Sequence, residues 1–211
     1  YNLTPFGFVG ALMVGLAHST VFGLGAVYAK TKGLDNFQVS LFIVIVTIFG
    51  SLFQWPVGYI SDKIDRRIIL IIVTLIASVI CILIIGSSYI SSTLLFILLA
   101  LYAGMSLPMY ALTVAHTNDY LRPDEIVAAS ASIAVLVGFG AIFGPIIASY
   151  FMSIFGPNGF FIFLFIVHIA LGLFGIYRMA IRTKPADLES QYVPLPTTIT
   201  PTGMELNPKA E

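Results

Sequence analysis

The chain has 211 residues, 58% of them apolar and 9% charged, with ten Lys and Arg against ten Asp and Glu. Its mean hydropathy of +0.99 excludes an ordinary soluble domain, in which about a quarter of the residues carry charge, and marks a membrane protein whose partner is the lipid bilayer. With no net charge and no basic block it offers nucleic acid no electrostatic footprint, and its single cysteine, Cys81, can form no internal disulfide.

Six stretches are long and apolar enough to cross a bilayer as helices: Leu3 to Tyr28, Phe37 to Ile60, Ile68 to Ile85, Thr93 to Ala115, Ile126 to Phe155 and Gly159 to Tyr177. None of the charged residues falls inside them, which is what lipid demands when an Arg, Lys or Asp at a helix centre costs about 2.5–3.5 kcal/mol. The chain starts at Tyr1 without a methionine and without the layout of a signal peptide. It reads as a piece of something longer.

The first predicted span carries His18 near its middle. An intramembrane histidine is a functional candidate, although a neutral imidazole is also satisfied by a neighbouring helix's carbonyl. In the second span Gln54 is a candidate substrate contact, beside Trp55 and Pro56, which read as an interface anchor and a kink. Between the second and third spans, GYISDKIDRR gathers five of the chain's twenty charged side chains into positions 62–67. Asp65 there is placed to cap the third helix, and Lys63, Arg66 and Arg67 to anchor at lipid headgroups.

Past the short uncharged turn GSSYISS, the fourth span holds GMSLP at Gly104 to Pro108, where proline removes a backbone hydrogen bond and bends the helix. Tyr102, Ser106 and Tyr110 fall near one face around that bend; Ser106 and Tyr110 are candidate substrate contacts, and packing accounts equally for Tyr102. The span ends in HTND, in which His116 and Asp119 are candidates for an inner gate or a proton-sensitive switch. His and Asp three apart, with no cysteine or second histidine nearby, make neither a zinc site nor a catalytic pair; no metal and no cofactor is expected. The fifth span contains GFGAIFGPIIA, whose Gly140 and Gly144 read as helix-packing residues. After the turn GPN, the sixth span carries His168, expected to be structural. From Thr183 onward five prolines stand among polar residues, and residues 183–211 are expected to form a disordered tail.

Six spans put both ends on one side, together with the connectors at 61–67 and 116–125. That side holds Lys63, Arg66, Arg67, Arg122, Arg178, Arg182, Lys184 and Lys209, against Lys30 and Lys32 on the other. The asymmetry places the ends in the cytoplasm, and the plasma membrane is the expected location.

The charged loop resembles the signature of the major facilitator superfamily: Gly, three residues, Asp, Arg or Lys, one residue, Gly, then two basic residues. Gly58, Asp62, Lys63, Arg66 and Arg67 match it in spacing and type, with Asp65 in place of the second glycine. QWPVGYISDKIDRR, PMYALTVAHTNDYLRPDE and the ending VPLPTTITPTGMELNPKAE resemble the second half of a bacterial permease branch, the YcaD-like proteins. The resemblance implies an all-α membrane protein: residues 1–182 as six transmembrane helices forming one half of a twelve-helix fold, with the N-terminal six-helix half missing. It implies that Asp62 latches onto a helix end of that other half, that the first and fourth helices line a central cavity, and that the third and sixth lie outside. A secondary carrier of a small solute is the expected function; a non-transporting receptor or assembly protein on the same scaffold is the alternative. No HExxH, no paired intramembrane aspartates and no Gly-x-Ser-Gly segment points to an enzyme.

Overall fold

The computed structural model describes residues 5–87, 91–122 and 125–181. The expected tail at 183–211 lies outside them. Among the described residues the chain is helical throughout: α1 (Pro5–Thr31), α2 (Asn36–Ser61), α3 (Arg66–Ser87), α4 (Ser92–Ser106), α5 (Met109–Asn118), α6 (Ile126–Phe155), a 3-10 turn (Gly156–Asn158) and α7 (Gly159–Ile181). Helices are the form such a sequence must take in lipid, because each satisfies its own backbone donors and acceptors.

The ends are set by local chemistry. Gly33, at φ 83°, turns the chain out of α1, a left-handed conformation cheap only for glycine. Asp35 and Gln38 then form a capping box on α2. Ser91 caps α4 by accepting from the Leu94 amide at 3.2 Å. Asp65 starts α3, its Oδ1 accepting from the Arg67 amide at 2.9 Å, so the capping role expected of it is present.

The fourth predicted span is two helices. α4 ends at Ser106, Leu107 and Pro108 form a turn, and α5 follows. Proline has no N–H to donate to the Gly104 carbonyl, and the ladder resumes when the Leu112 amide reaches the Pro108 carbonyl at 3.1 Å. Leu107 and Pro108 keep right-handed helical dihedrals, but the shared face expected for Tyr102, Ser106 and Tyr110 does not form: Tyr102 and Ser106 are fully buried and Tyr110 is 44% exposed.

Taken by length and composition, five helical runs are able to cross a membrane: Pro5–Thr31, Asn36–Ser61, Arg66–Ser87, Ser92–Asn118 across the break, and a 56-residue run at 126–181. The last contains the 3-10 turn. Gly156, at φ 63°, reverses the chain there, and a side chain at Gly159 would run into the Phe151 carbonyl.

α1 is the central helix, packed against α6, α7, α5 and α2, while α3 pairs with α7 and α2 with α4. The α1–α6 contact is backbone to backbone. Gly15 rests on Val137, and a Cβ on Gly140 would stand 2.6 Å from the Leu16 amide nitrogen, which is the close approach that small residues four apart allow. One end of the core is aromatic, with Tyr28 stacked on Phe160 at 4.8 Å and edge-on to Phe161 at 5.0 Å.

Candidate functional site

The α2–α3 loop and the end of α5 meet in one ionic cluster. Arg66, the first residue of α3, donates from one nitrogen to Asp62 at 3.0 Å and from another to Asp119 at 2.6 Å, and it also reaches the Ala115 carbonyl at 3.3 Å. A guanidinium suits this position because its planar fork serves three acceptors at once. It also faces the carbonyl end of α5, where a cation is favoured by the helix dipole. Asp119 is in the opposite situation. Burial raises its carboxyl above the ordinary range, Arg66 pulls it back, and Asp65 and Asp62 push it up again.

Asp65 grips Arg67 through both oxygens, at 2.7 and 3.1 Å. Burial acts to raise its carboxyl, but the hydrogen bonds and charge of Arg67, with a further contribution from His116, hold it below the ordinary range. His116 is buried between Phe6, at 5.4 Å, and Tyr120, at 5.1 Å. Lys63 lies 4.0 Å over the Tyr59 ring and donates to its hydroxyl. The Gly58 carbonyl accepts from the Asp62 amide and the Ser61 hydroxyl, while its Cα faces open space.

A second polar group lies deep in the bundle and joins four helices at Ser106. His18 on α1 donates from Nε2 to the Ser106 carbonyl at 3.0 Å. The Ser106 hydroxyl donates to the Tyr102 hydroxyl at 3.4 Å, and Tyr102 lies 3.0 Å from His168 Nε2 on α7. On the other side of that ring, Thr74 of α3 is 3.3 Å from Nδ1 and donates to the His168 carbonyl at 3.2 Å. With the ring protonated on Nδ1, Tyr102 donates to Nε2 and Nδ1–H to Thr74; with it protonated on Nε2, the ring donates to Tyr102 and Thr74 donates to Nδ1. Either way both ring nitrogens of His168 are engaged by buried hydroxyls.

The family model of the Major Facilitator Superfamily matches residues 7–208. The chain belongs to this superfamily. It is 26% identical over 186 residues to an uncharacterized MFS-type transporter of Yersinia pestis (strain Pestoides F), covering 88% of this chain and 46% of the relative. It is 27% identical over 192 residues to the MFS-type transporter YfkF of Bacillus subtilis (strain 168), at the same coverage. With YcaD of Shigella flexneri (serotype 5b, strain 8401) it shares 26% over 161 residues, 75% of this chain and 40% of the relative. The chain thus spans about half the length of the curated relatives it matches. No solved structure matches it.

For a superfamily member the structure divides the residues singled out in the sequence into two groups. Asp62, Arg66 and Asp119 meet directly, with Lys63, Arg67 and His116 around them; His18 and Ser106 meet in the interior. Gln54 and Tyr110 join neither group and are exposed. Around Gln54 the structure shows a stripe that the sequence reading missed. Ser40, Thr47, Ser51 and Gln54 are all exposed on α2, and at 100° per residue they share one face. Val44, Ile48, Leu52, Trp55 and Tyr59 fill the adjoining face. The signal was the spacing of hydroxyls at seven and four residues, hidden because no single serine or threonine is unusual in a membrane helix. Tyr102, Thr74 and His168 were missed as a unit because they come from three helices.

Proposed function

We propose that this chain is the C-terminal half of a secondary carrier that moves a small solute by alternating access, and that the Asp62–Arg66–Asp119 bridge is its inner switch. In this reading the chain crosses the bacterial plasma membrane six times, α4 and α5 making one crossing and the turn at Gly156–Asn158 separating two. Its ends and the α2–α3 loop lie in the cytoplasm, by the excess of Lys and Arg there. The N-terminal six-helix half supplies the other wall of the pathway. No cofactor is required, and the chain is not an enzyme.

The observation that carries the reading is the position of Arg66. It ties the loop at the base of α2 to the far end of α5, the segment beyond the Leu107–Pro108 break. The side chains are accessible, Asp62 at 68% and Asp119 at 45%, so each link contributes about 0–1 kcal/mol. A contact of that size biases two conformations by a few-fold without freezing either. The open space at Gly58 supports a further surface arriving there from the missing half. The superfamily's transport function and the similarity to MFS-type transporters support the direction of the reading.

The test uses the complete protein reconstituted in vesicles, with a panel of labelled amino acids, sugars and organic ions as solutes. Asp62→Asn and Arg66→Lys are expected to reduce uptake a few-fold while membrane abundance stays intact. Full uptake in both variants ends the switch, and no uptake of any solute by the unaltered protein ends the carrier.

A further inference from the structure

We infer that His18 and the carbonyl end of α4 form a proton-binding site, with His168 as the neutral post that holds Ser106 in place beneath it. The inference rests on the carrier reading only in calling that proton the coupling ion.

The two interior histidines hold the same residue from opposite sides but are not equivalent. His168 has both ring nitrogens engaged, Nδ1 with Thr74 and Nε2 with the Tyr102 hydroxyl. A second ring proton would oblige one of these hydroxyls to turn its own proton away, and Tyr102, Ser106 and Thr74 are all fully buried, so the proton would gain no water. His18 uses one nitrogen. Nε2–H donates to the Ser106 carbonyl, Nδ1 has no hydrogen-bond partner among the described residues, and the residue, unlike His168, is not fully covered.

A proton arriving at Nδ1 leaves the existing bond in place and makes it charge-assisted, hence shorter and stronger. The acceptor is suited to a cation. Ser106 is the last residue of α4, its carbonyl belongs to the set a helix end leaves unpaired, and the partial negative charge of the helix points at the imidazole.

No fixed charge competes for that proton within the spans. α2, α4, α5 and α6 carry no Asp, Glu, Lys or Arg, and α7 has none before Arg178. The titratable groups on helices packed around α1 are His168, Tyr177 and Arg178 on α7 and His116 and Tyr110 on α5, together with the exposed Tyr59 on α2 and Tyr150 on α6. Tyr102 on α4 faces the far side of Ser106. Two cations flanking one serine are mutually unfavourable, so the first proton, on His18, further excludes a second on His168. The consequence is mechanical: occupancy of His18 tightens α1 onto α4 immediately before the break, while Arg66 holds the segment after it.

The experiment is a pH titration, from roughly pH 8.5 to 4.5 across the histidine range, of the complete protein in lipid nanodiscs. Histidine rings are labelled with 13C and 15N and serine carbonyls with 13C, and signals are assigned by their loss in His18→Gln, His116→Gln and His168→Gln. His18 is expected to take up its proton first, with a protonated fraction about tenfold above that of His168 at the same pH, a difference of about one pH unit. The Ser106 carbonyl shift is expected to follow the His18 midpoint. Tyr102→Phe, which frees His168 Nε2, should bring the two titrations closer. Protonation of His168 at or before His18, or a Ser106 carbonyl that stays flat through the His18 titration, overturns the inference. A protein that titrates as expected but carries no solute keeps the site and loses the carrier reading. A carrier whose pH response is unaltered by His18→Gln keeps that reading and loses the proton's coupling role.

Discussion

Arg66 ties Asp62 to Asp119, while Arg67 pairs with Asp65 in the same cluster, and of these carboxylates Asp119 and Asp65 are in opposite electrostatic states. Asp119 is held with a raised carboxyl pKa, so the folded protein binds a proton that the unfolded chain has already released, and stability falls as pH rises through that window. Asp65 is held low, so the stability it contributes is complete above the unfolded carboxylate pKa and is lost as pH falls through the folded one. Two substitutions are therefore expected to move in opposite directions. Asp119→Asn should raise the thermal midpoint at neutral pH, by under about 1 kcal/mol for so exposed a pair, with the gain vanishing toward acid pH; at the same time it weakens the Arg66 bridge and lowers transport. Asp65→Ala removes the α3 cap and should lower stability by about 0.5–2 kcal/mol. Thermal unfolding of the complete protein in detergent across the acid range measures both, and equal shifts of one sign would contradict the electrostatic assignment. The loop was legible in the sequence because its charge density had no parallel in the chain. That Asp119, more than fifty residues away, completes it was not: HTND gave only a helix end with polar residues, and the pairing depends on where α5 lies after the break.

The helices themselves were readable to within a few residues, because an uninterrupted apolar run in lipid has few options besides a helix. Their contacts were readable only where glycine marked them. Gly140 and Gly144 were expected to pack, and they face the α1 backbone, whereas Gly138, two positions earlier in the same motif, meets nothing within 4 Å. That difference makes a controlled pair. Gly140→Ala forces α1 and α6 apart against backbone atoms that cannot rotate away, at about 1–3 kcal/mol, while Gly138→Ala should be neutral or slightly stabilising through helix propensity. Equal thermal midpoints for the two variants would mean that α1 and α6 are not in this close contact. The α4–α5 break shows the limit of pattern reading. Proline foretold a bend, but not which side of it the neighbouring helices would cover: Ser106 lies in the core and Tyr110 at the surface. Restoring the missing donor with Pro108→Ala should let the two helices fuse, leaving stability unchanged or higher and slowing transport; unchanged transport would remove the break from the mechanism.

α2 distinguishes three environments around its circumference, and this bears on the proposed pathway. Only 17% of its most apolar window is buried within the chain, through residues such as Phe42, Val46, Gly50 and Val57. Ile48, Leu52 and Trp55 form a large apolar exposed face, which is suited to lipid chains or a greasy protein partner. The third face, Ser40, Thr47, Ser51 and Gln54, is exposed but polar; the Ser40 and Thr47 hydroxyls donate to the Asn36 and Ile43 carbonyls of their own helix, while lipid gives the Gln54 amide nothing to bond with. On the carrier reading proposed above, water or a polar solute in a cavity closed by the other half would serve these groups. Single cysteines at Thr47, Ser51 and Gln54, in a complete protein with Cys81, which is buried, replaced by serine, are accordingly expected to react with a membrane-impermeant charged thiol reagent. Cysteines at Ile48 and Leu52, one residue away and at the same depth, are expected to react at least tenfold more slowly, since thiol reactivity requires a hydrated thiolate. Depth alone cannot produce that alternation, because it changes little between neighbouring residues at about 1.5 Å each. Uniform labelling along α2, or uniform protection, would place the stripe outside any aqueous cavity and leave Gln54 without a role in a pathway.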